Sequence, residues 1–125
     1  MNKEEFKHKT IWAVVGSCNN PEKYAYKIYN YLKKRGLQVY AVDPSGKSVD
    51  GSPSYKSLKD LPMLPEAVDM VINPVKGKEY LDEAKKLGIS YIWFQPGAES
   101  LQLIQKAKEY NMYVVHDACV MMDLI

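Results

Sequence analysis

Arginine is almost missing from this chain: all but one of its 17 basic residues are lysines, the exception being Arg35. Planar, bidentate clamping of phosphate or carboxylate is therefore nearly excluded, and a polyanion must be held by lysine point charges and backbone amides. Cysteine is scarce too. Cys18 and Cys119 are too few for a disulfide framework, and their spacing, with only two histidines, matches no zinc pattern. No apolar run approaches the roughly 20 residues of a membrane span, and the opening MNKEEFKHKT lacks the apolar stretch of a signal peptide. These absences predict a cytoplasmic protein with no membrane partner. A net charge of only +2 supplies no field that demands nucleic acid. Both glycine-rich nucleotide fingerprints are missing as well. Of the G-x-G-x-x-G pattern only Gly16 is present, and there is no G-x-x-x-x-G-K-[ST] loop.

Five β-branched, apolar runs remain: Ile11–Gly16, Leu37–Val42, Val68–Asn73, Tyr91–Phe94 and Met112–His116. Several are continuous rather than alternating, the pattern of strands covered on both faces of a parallel sheet. Helical spacing lies between them. Ala25, Ile28, Tyr29 and Leu32 share one face, and Gly36 stands where a helix ends. Leu81, Ala84 and Leu87 define a second helix from about Lys78, and Leu101, Ile104 and Ala107 a third. A short helix is expected over Ser57–Leu61. No repeat or linker divides the chain, so one α/β domain is expected over residues 1–125, with 1–10 as a frayed or surface-packed arm. The alternation predicts a doubly wound, parallel, five-stranded sheet of order 3-2-1-4-5 with helices on both faces. Ligands of such sheets bind beyond the carboxyl ends of the strands where the order reverses, here between the first and fourth runs.

The loops at that edge are the candidates. After the first run comes VVGSCNNPEKY. Gly16 can turn sharply, and Asn20-Pro21 reads as an N-cap followed by N1. The helix start would then aim free amides at a phosphate, assisted by Ser17, Asn19 and Lys23. A well-capped helix with no ligand explains the same residues. After the second run, Asp43 could accept a ribose hydroxyl, and the turn Pro44-Ser45-Gly46 would present Lys47 to a terminal phosphate. After the third, Asn73 closes the strand, and Pro74 and Val75 form an apolar shelf. After the fourth, Gln95 precedes Pro96-Gly97, and Gly97 would let a ligand approach the backbone. His116, Asp117 and Cys119 follow the fifth run. Neighbours at one strand end point in different directions, so a catalytic trio is not expected. A Cys18–Cys119 disulfide is not expected either, because their strands are not adjacent.

Together VVGSCNNPEKY, VYAVDPSGKSVDG, WFQPGAES and DACVMM resemble the small stand-alone CoA-binding proteins of Rossmann type. These are relatives of the CoA-binding domain in the succinyl-CoA synthetase α subunit and in ADP-forming acyl-CoA synthetases. The resemblance implies coenzyme A or an acyl-CoA as ligand. It implies that Gly16, Ser17, Cys18, Asn19 and Asn20, with Lys23 and Tyr24, cradle the phosphates. It also implies that Pro44, Ser45 and Lys47 border the nucleotide end and its 3′-phosphate, with Asp43 binding there only if turned onto a ribose hydroxyl or a lysine. Asn73, Pro74 and Val75 would line the adenine side, Gln95 and Gly97 the pantetheine arm, and Cys119 the thiol end. Three departures stand out: Cys18 after Ser17, Asp43 in place of asparagine, and His116-Asp117-Ala118 before the cysteine.

The sequence has no counterpart of the synthetases' phosphorylated histidine or ATP-handling parts, so a binding or regulatory role without turnover is expected. The alternatives are a non-catalytic subunit of a multi-chain acyl-CoA synthetase, an NAD(P)-binding redox enzyme or sensor suggested by Asp43, and an interaction module. Ten tyrosines and two tryptophans leave surface for a homo-oligomer or a partner subunit.

Overall fold

The first strand, β1 (Ile11–Gly16), is almost wholly buried and holds the centre of the sheet. A computed structural model describes residues 3–124 of the chain. In chain order it contains α1 (Lys3–Phe6), β1, α2 (Tyr24–Lys34), β2 (Gln38–Val42), β3 (Ser54–Tyr55), a 3₁₀ turn (Leu58–Asp60), β4 (Ala67–Val71), α3 (Pro74–Leu87), β5 (Tyr91–Phe94), α4 (Leu101–Glu109), β6 (Tyr113–Val115) and α5 (Val120–Asp123). All strand pairs are parallel, in the order β3-β2-β1-β4-β5-β6. The α/β architecture is thus the predicted one, with its order of numbers extended by one strand. The two-residue β3 follows Pro53 and has no apolar run to announce it. It takes the outer place beside β2, so the Val68 run is fourth and pairs with β1. The reversal of strand order, expected beside the Tyr91 run, therefore lies between β1 and β4.

Alternation along the strands separates two apolar layers. Ala13, Val15, Val68, Met70, Ile92 and Phe94 face α3 and α4 through Leu81, Ala84, Leu103 and Ala107. Trp12, Val14, Ala67, Trp93 and Val115 face α2 through Ala25, Ile28 and Leu32. Each fully buried large side chain contributes about 1.5–3 kcal/mol against the entropy of ordering it. Residues 3–10 are more than an arm. Phe6 is wholly buried, its ring edge-on to Trp93 and Tyr91 at 5.4 Å each, and Lys3 pairs with Asp123 at 3.1 Å.

Helix starts depart from the prediction in an informative way. Asn73 caps α3, its Oδ1 accepting the Lys76 N–H at 3.0 Å with Pro74 behind it. The other Asn-Pro pair does not open α2. Asn20 Oδ1 accepts the Glu22 N–H and its carbonyl accepts the Lys23 N–H, closing a turn. The helix begins only at Tyr24, with Lys23 as an N-cap that makes no side-chain cap bond.

Candidate functional site

A cleft of about 390 Å³ opens at the carboxyl edge of the sheet, lined by Tyr24, Val71, Ile72, Asn73, Gln95, Pro96, Gly97, Ala98 and Cys119. Its size is that of a small-molecule site. Each wall follows from local chemistry. Gly16 ends β1 so close to β4 that a Cβ there would lie 2.4 Å from the Val71 carbonyl oxygen. Only glycine lets the two strands meet beneath the cleft. Gln95-Pro96-Gly97-Ala98 forms a tight turn, with the Ala98 N–H donating to the Gln95 carbonyl at 2.8 Å. Proline at its second position and Gly97 at φ 94° meet the demands of a type II turn. Gly97 is exposed and puts no side chain over the cleft, its own N–H donating to Glu99 Oε1 at 3.0 Å.

Gln95 is buried, and both ends of its amide are used. Its Oε1 accepts the Val120 N–H at 2.9 Å, and its Nε2 donates to Cys119 Sγ at 3.2 Å. The β5 loop thereby holds the start of α5 and fixes the half-exposed Cys119 thiol on the cleft wall. His116 Nδ1 and Asp117 Oδ2 lie 2.6 Å apart one turn away.

The predicted residues fall into three groups. Tyr24, Asn73, Gln95, Gly97 and Cys119 come together in the cleft. A second set lies on the loops after β1 and β2. Asp43 is buried there, accepting the Ser45 N–H at 2.9 Å and the Asn19 N–H at 3.4 Å, so it ties the two loops to each other. Each of its oxygens thus accepts one backbone N–H within the protein. The Gly46 N–H closes the turn onto the Asp43 carbonyl, leaving Lys47 exposed; Lys23 is exposed as well. Neither lysine forms an ion pair among the described residues, and Ser17 is exposed.

The third group faces elsewhere. Pro74 and Val75 line a different hollow with Lys78, Ser100, Gln102, Leu103 and Lys106. Their position on the first turn of α3, rather than on a loop, turns them away from the first cleft. Cys18 points into the core with no exposed surface, its thiol 3.4 Å from the Val14 carbonyl. Burial, reinforced by Asp43, pushes that thiol up to about 12. Both cysteines are free.

Val71, Ile72, Pro96 and Ala98 are cleft residues that sequence reasoning did not single out. Asp69 was also missed. It is wholly buried in β4, and neither carboxylate oxygen has a hydrogen-bond partner. Burial and the neighbouring Cys119 sulfur push its carboxyl well above the usual range. The signal was a lone charge inside the apolar run AVDMV. A buried, unpaired carboxylate is so costly that the group takes up a proton instead.

Among the described residues no helix is long and apolar enough to cross a membrane. The chain is similar to a structure from Pyrococcus horikoshii OT3 described as a hypothetical protein, with 30% identity and a TM-score of 0.90, covering 98% of this chain and 89% of that one. A Thermus thermophilus structure gives 27% identity and a TM-score of 0.86, covering 98% and 96%. The α subunit of the Pyrococcus furiosus acetate–CoA ligase [ADP-forming] II is 27% identical over 119 residues. That match covers 86% of this chain, which spans only 26% of the subunit's length. The family profile described as CoA binding domain matches residues 10–125, nearly the whole sequence. With its open parallel sheet and a cleft at the break in strand order, the chain belongs to the CoA binding domain family.

Proposed function

We propose that this chain binds coenzyme A or an acyl-CoA along the carboxyl edge of the sheet, as a binding or regulatory protein. The observation that carries the reading is the joining of two unlike surfaces at the strand-order break. One is an apolar cleft for a slender arm, ending near a thiol. The other is a pair of loops bearing unpaired lysines for phosphates. Val71, Ile72 and the Pro96-Gly97 turn receive the pantetheine arm, and Cys119 lies towards its sulfur. The exposed Ser17 at the end of β1 meets the diphosphate, with Lys23 and Tyr24 flanking it. Pro44 and Ser45 shape the turn that carries Lys47 to the 3′-phosphate. Asn73 borders the adenine side of the cleft. Each charge-assisted contact contributes about 1.5–3 kcal/mol, and three or four support micromolar affinity once ordering costs are subtracted.

The test is calorimetry of the full chain with CoA, dephospho-CoA and NAD. CoA is expected to bind most tightly, and Lys47→Ala to narrow the gap between CoA and its dephospho form about tenfold, the equivalent of ~1.4 kcal/mol. Equal binding of those two ligands by the wild type removes Lys47 from its role. Binding of NAD alone overturns the assignment.

A further inference from the structure

We propose that the thiol end of the cleft selects acyl-CoAs whose acyl group is an uncharged hydrocarbon chain and rejects those ending in a carboxylate. The inference rests on the CoA reading above and names the class of acyl group that this same site takes.

Charge is distributed unevenly around the cleft. None of its nine lining residues carries a charged side chain. The cations stand at the β1 end: Lys23 precedes Tyr24, and Lys27 Nζ lies 5.6 Å from the centre of the Tyr24 ring. That end receives the phosphates. At the end beyond β5 and β6 the sign reverses. Glu99 follows the Pro96-Gly97-Ala98 wall, and its Oε1 accepts the Gly97 N–H at 3.0 Å, which fixes a carboxylate at the rim. The cations of this segment are matched. A protonated His116 faces Asp117 at 2.6 Å, and Lys3 pairs with Asp123 at 3.1 Å. A second carboxylate brought here therefore meets a like charge.

The hydrogen-bonding groups at this end are taken as well. Gln95 accepts the Val120 N–H and donates to Cys119 Sγ, the Ala98 N–H is given to the Gln95 carbonyl, and the Gly97 N–H to Glu99. A carboxylate stripped of water gains none of these donors in exchange, whereas a hydrocarbon chain asks for none.

What the wall does offer is apolar, in Val71, Ile72, Pro96 and Ala98. The apolar surface continues past the cleft. The Met122 N–H donates to the Cys119 carbonyl at 2.9 Å, which sets Met122 one turn on from Cys119 along the same side of α5. Its side chain is 75% exposed. A chain leaving a sulfur beside Cys119 covers it, and the unbranched thioether adapts to chains of different length.

The experiment is calorimetry of the full chain with CoA, hexanoyl-CoA and adipoyl-CoA; the two acyl groups have equal length and differ in a terminal carboxylate. Hexanoyl-CoA is expected to bind about fivefold more tightly than CoA, and adipoyl-CoA about tenfold more weakly than hexanoyl-CoA. Glu99→Gln keeps an acceptor for the Gly97 N–H and removes the charge, narrowing the second gap to about threefold. Met122→Ser, at an exposed position, narrows the first to about twofold. In a protein that binds CoA, equal affinity for the two acyl-CoAs, or no gain of hexanoyl-CoA over CoA, overturns the selection and leaves the proposed function standing. An undiminished gap in Glu99→Gln overturns the part given to its charge, and one in Met122→Ser the part given to the apolar extension. Failure to bind CoA at all defeats the proposed function first, and this inference with it.

Discussion

Replacing Asp69 by asparagine should change how stability depends on pH, and the sign follows from where the carboxyl sits. In the unfolded chain it titrates near 3.8; in the fold it is wholly buried without a partner and titrates well above that. Between those two values the folded state holds a proton that the unfolded state has lost. Wild-type stability is therefore fully present below the unfolded value and falls as pH rises, by about 1.4 kcal/mol for each pH unit, until the native carboxyl itself titrates. Asparagine is nearly isosteric and carries no such proton, so its curve lacks this contribution. All other groups are shared, and they cancel in the difference between variant and wild type. Urea unfolding of both proteins at half-unit steps from pH 4 to pH 8 measures that difference. Asp69→Asn is expected to gain on the wild type steadily from pH 4 upward and then level off. Parallel curves would show that the carboxylate is solvated or paired in the fold, and a difference shrinking with pH would reverse its sign.

Three further outcomes follow from the packing. Gly16→Ala forces a methyl group against the Val71 carbonyl oxygen, a backbone atom that cannot swing aside. It is expected to cost about 1–3 kcal/mol in urea unfolding and to weaken CoA binding, since Val71 also lines the cleft. Phe6→Ala empties a fully buried ring site between Trp12 and Trp93 and should cost about 3–5 kcal/mol in thermal unfolding. A loss below 1 kcal/mol would mean that the N-terminal segment is not anchored. A chromogenic disulfide reagent should titrate one thiol per folded chain and two in denaturant, because Cys119 reaches the cleft and Cys18 is sealed. Two fast thiols in the folded chain would refute the buried position of Cys18.

How far the sequence could be read depended on whether a pattern was local. The strand Tyr91–Phe94 and the helix faces were legible because their periodicity arises from each segment's own burial. The two Asn-Pro pairs show the limit. Asn73-Pro74 opens a helix and Asn20-Pro21 does not, although the dipeptide is the same. What differs is tertiary. Between Gly16 and Tyr24 the chain must sink Cys18 into the core and give the Asn19 N–H to Asp43 on another strand, which uses up residues in turns before a helix can start. The two-residue β3 had no periodicity to reveal it, and its omission misplaced the break in strand order by one strand. Of the nine cleft residues, Gln95, Gly97 and Asn73 were visible as turn chemistry, and Tyr24 and Cys119 through the family resemblance. Val71 and Ile72 read as ordinary strand because nothing local distinguishes a strand end that lines a cavity from one that is covered.

The double engagement of Gln95 has a consequence for the far end of the fold. Residues 120–123 are held by the Gln95 amide on the Val120 N–H, by the wholly buried Val120 side chain in the layer facing α2, and by Lys3 on Asp123, while Trp93 of β5 donates to the Ala118 carbonyl just before them. A pull on the carboxy-terminal residues is therefore shared between the Cys119 wall of the cleft and β5 itself.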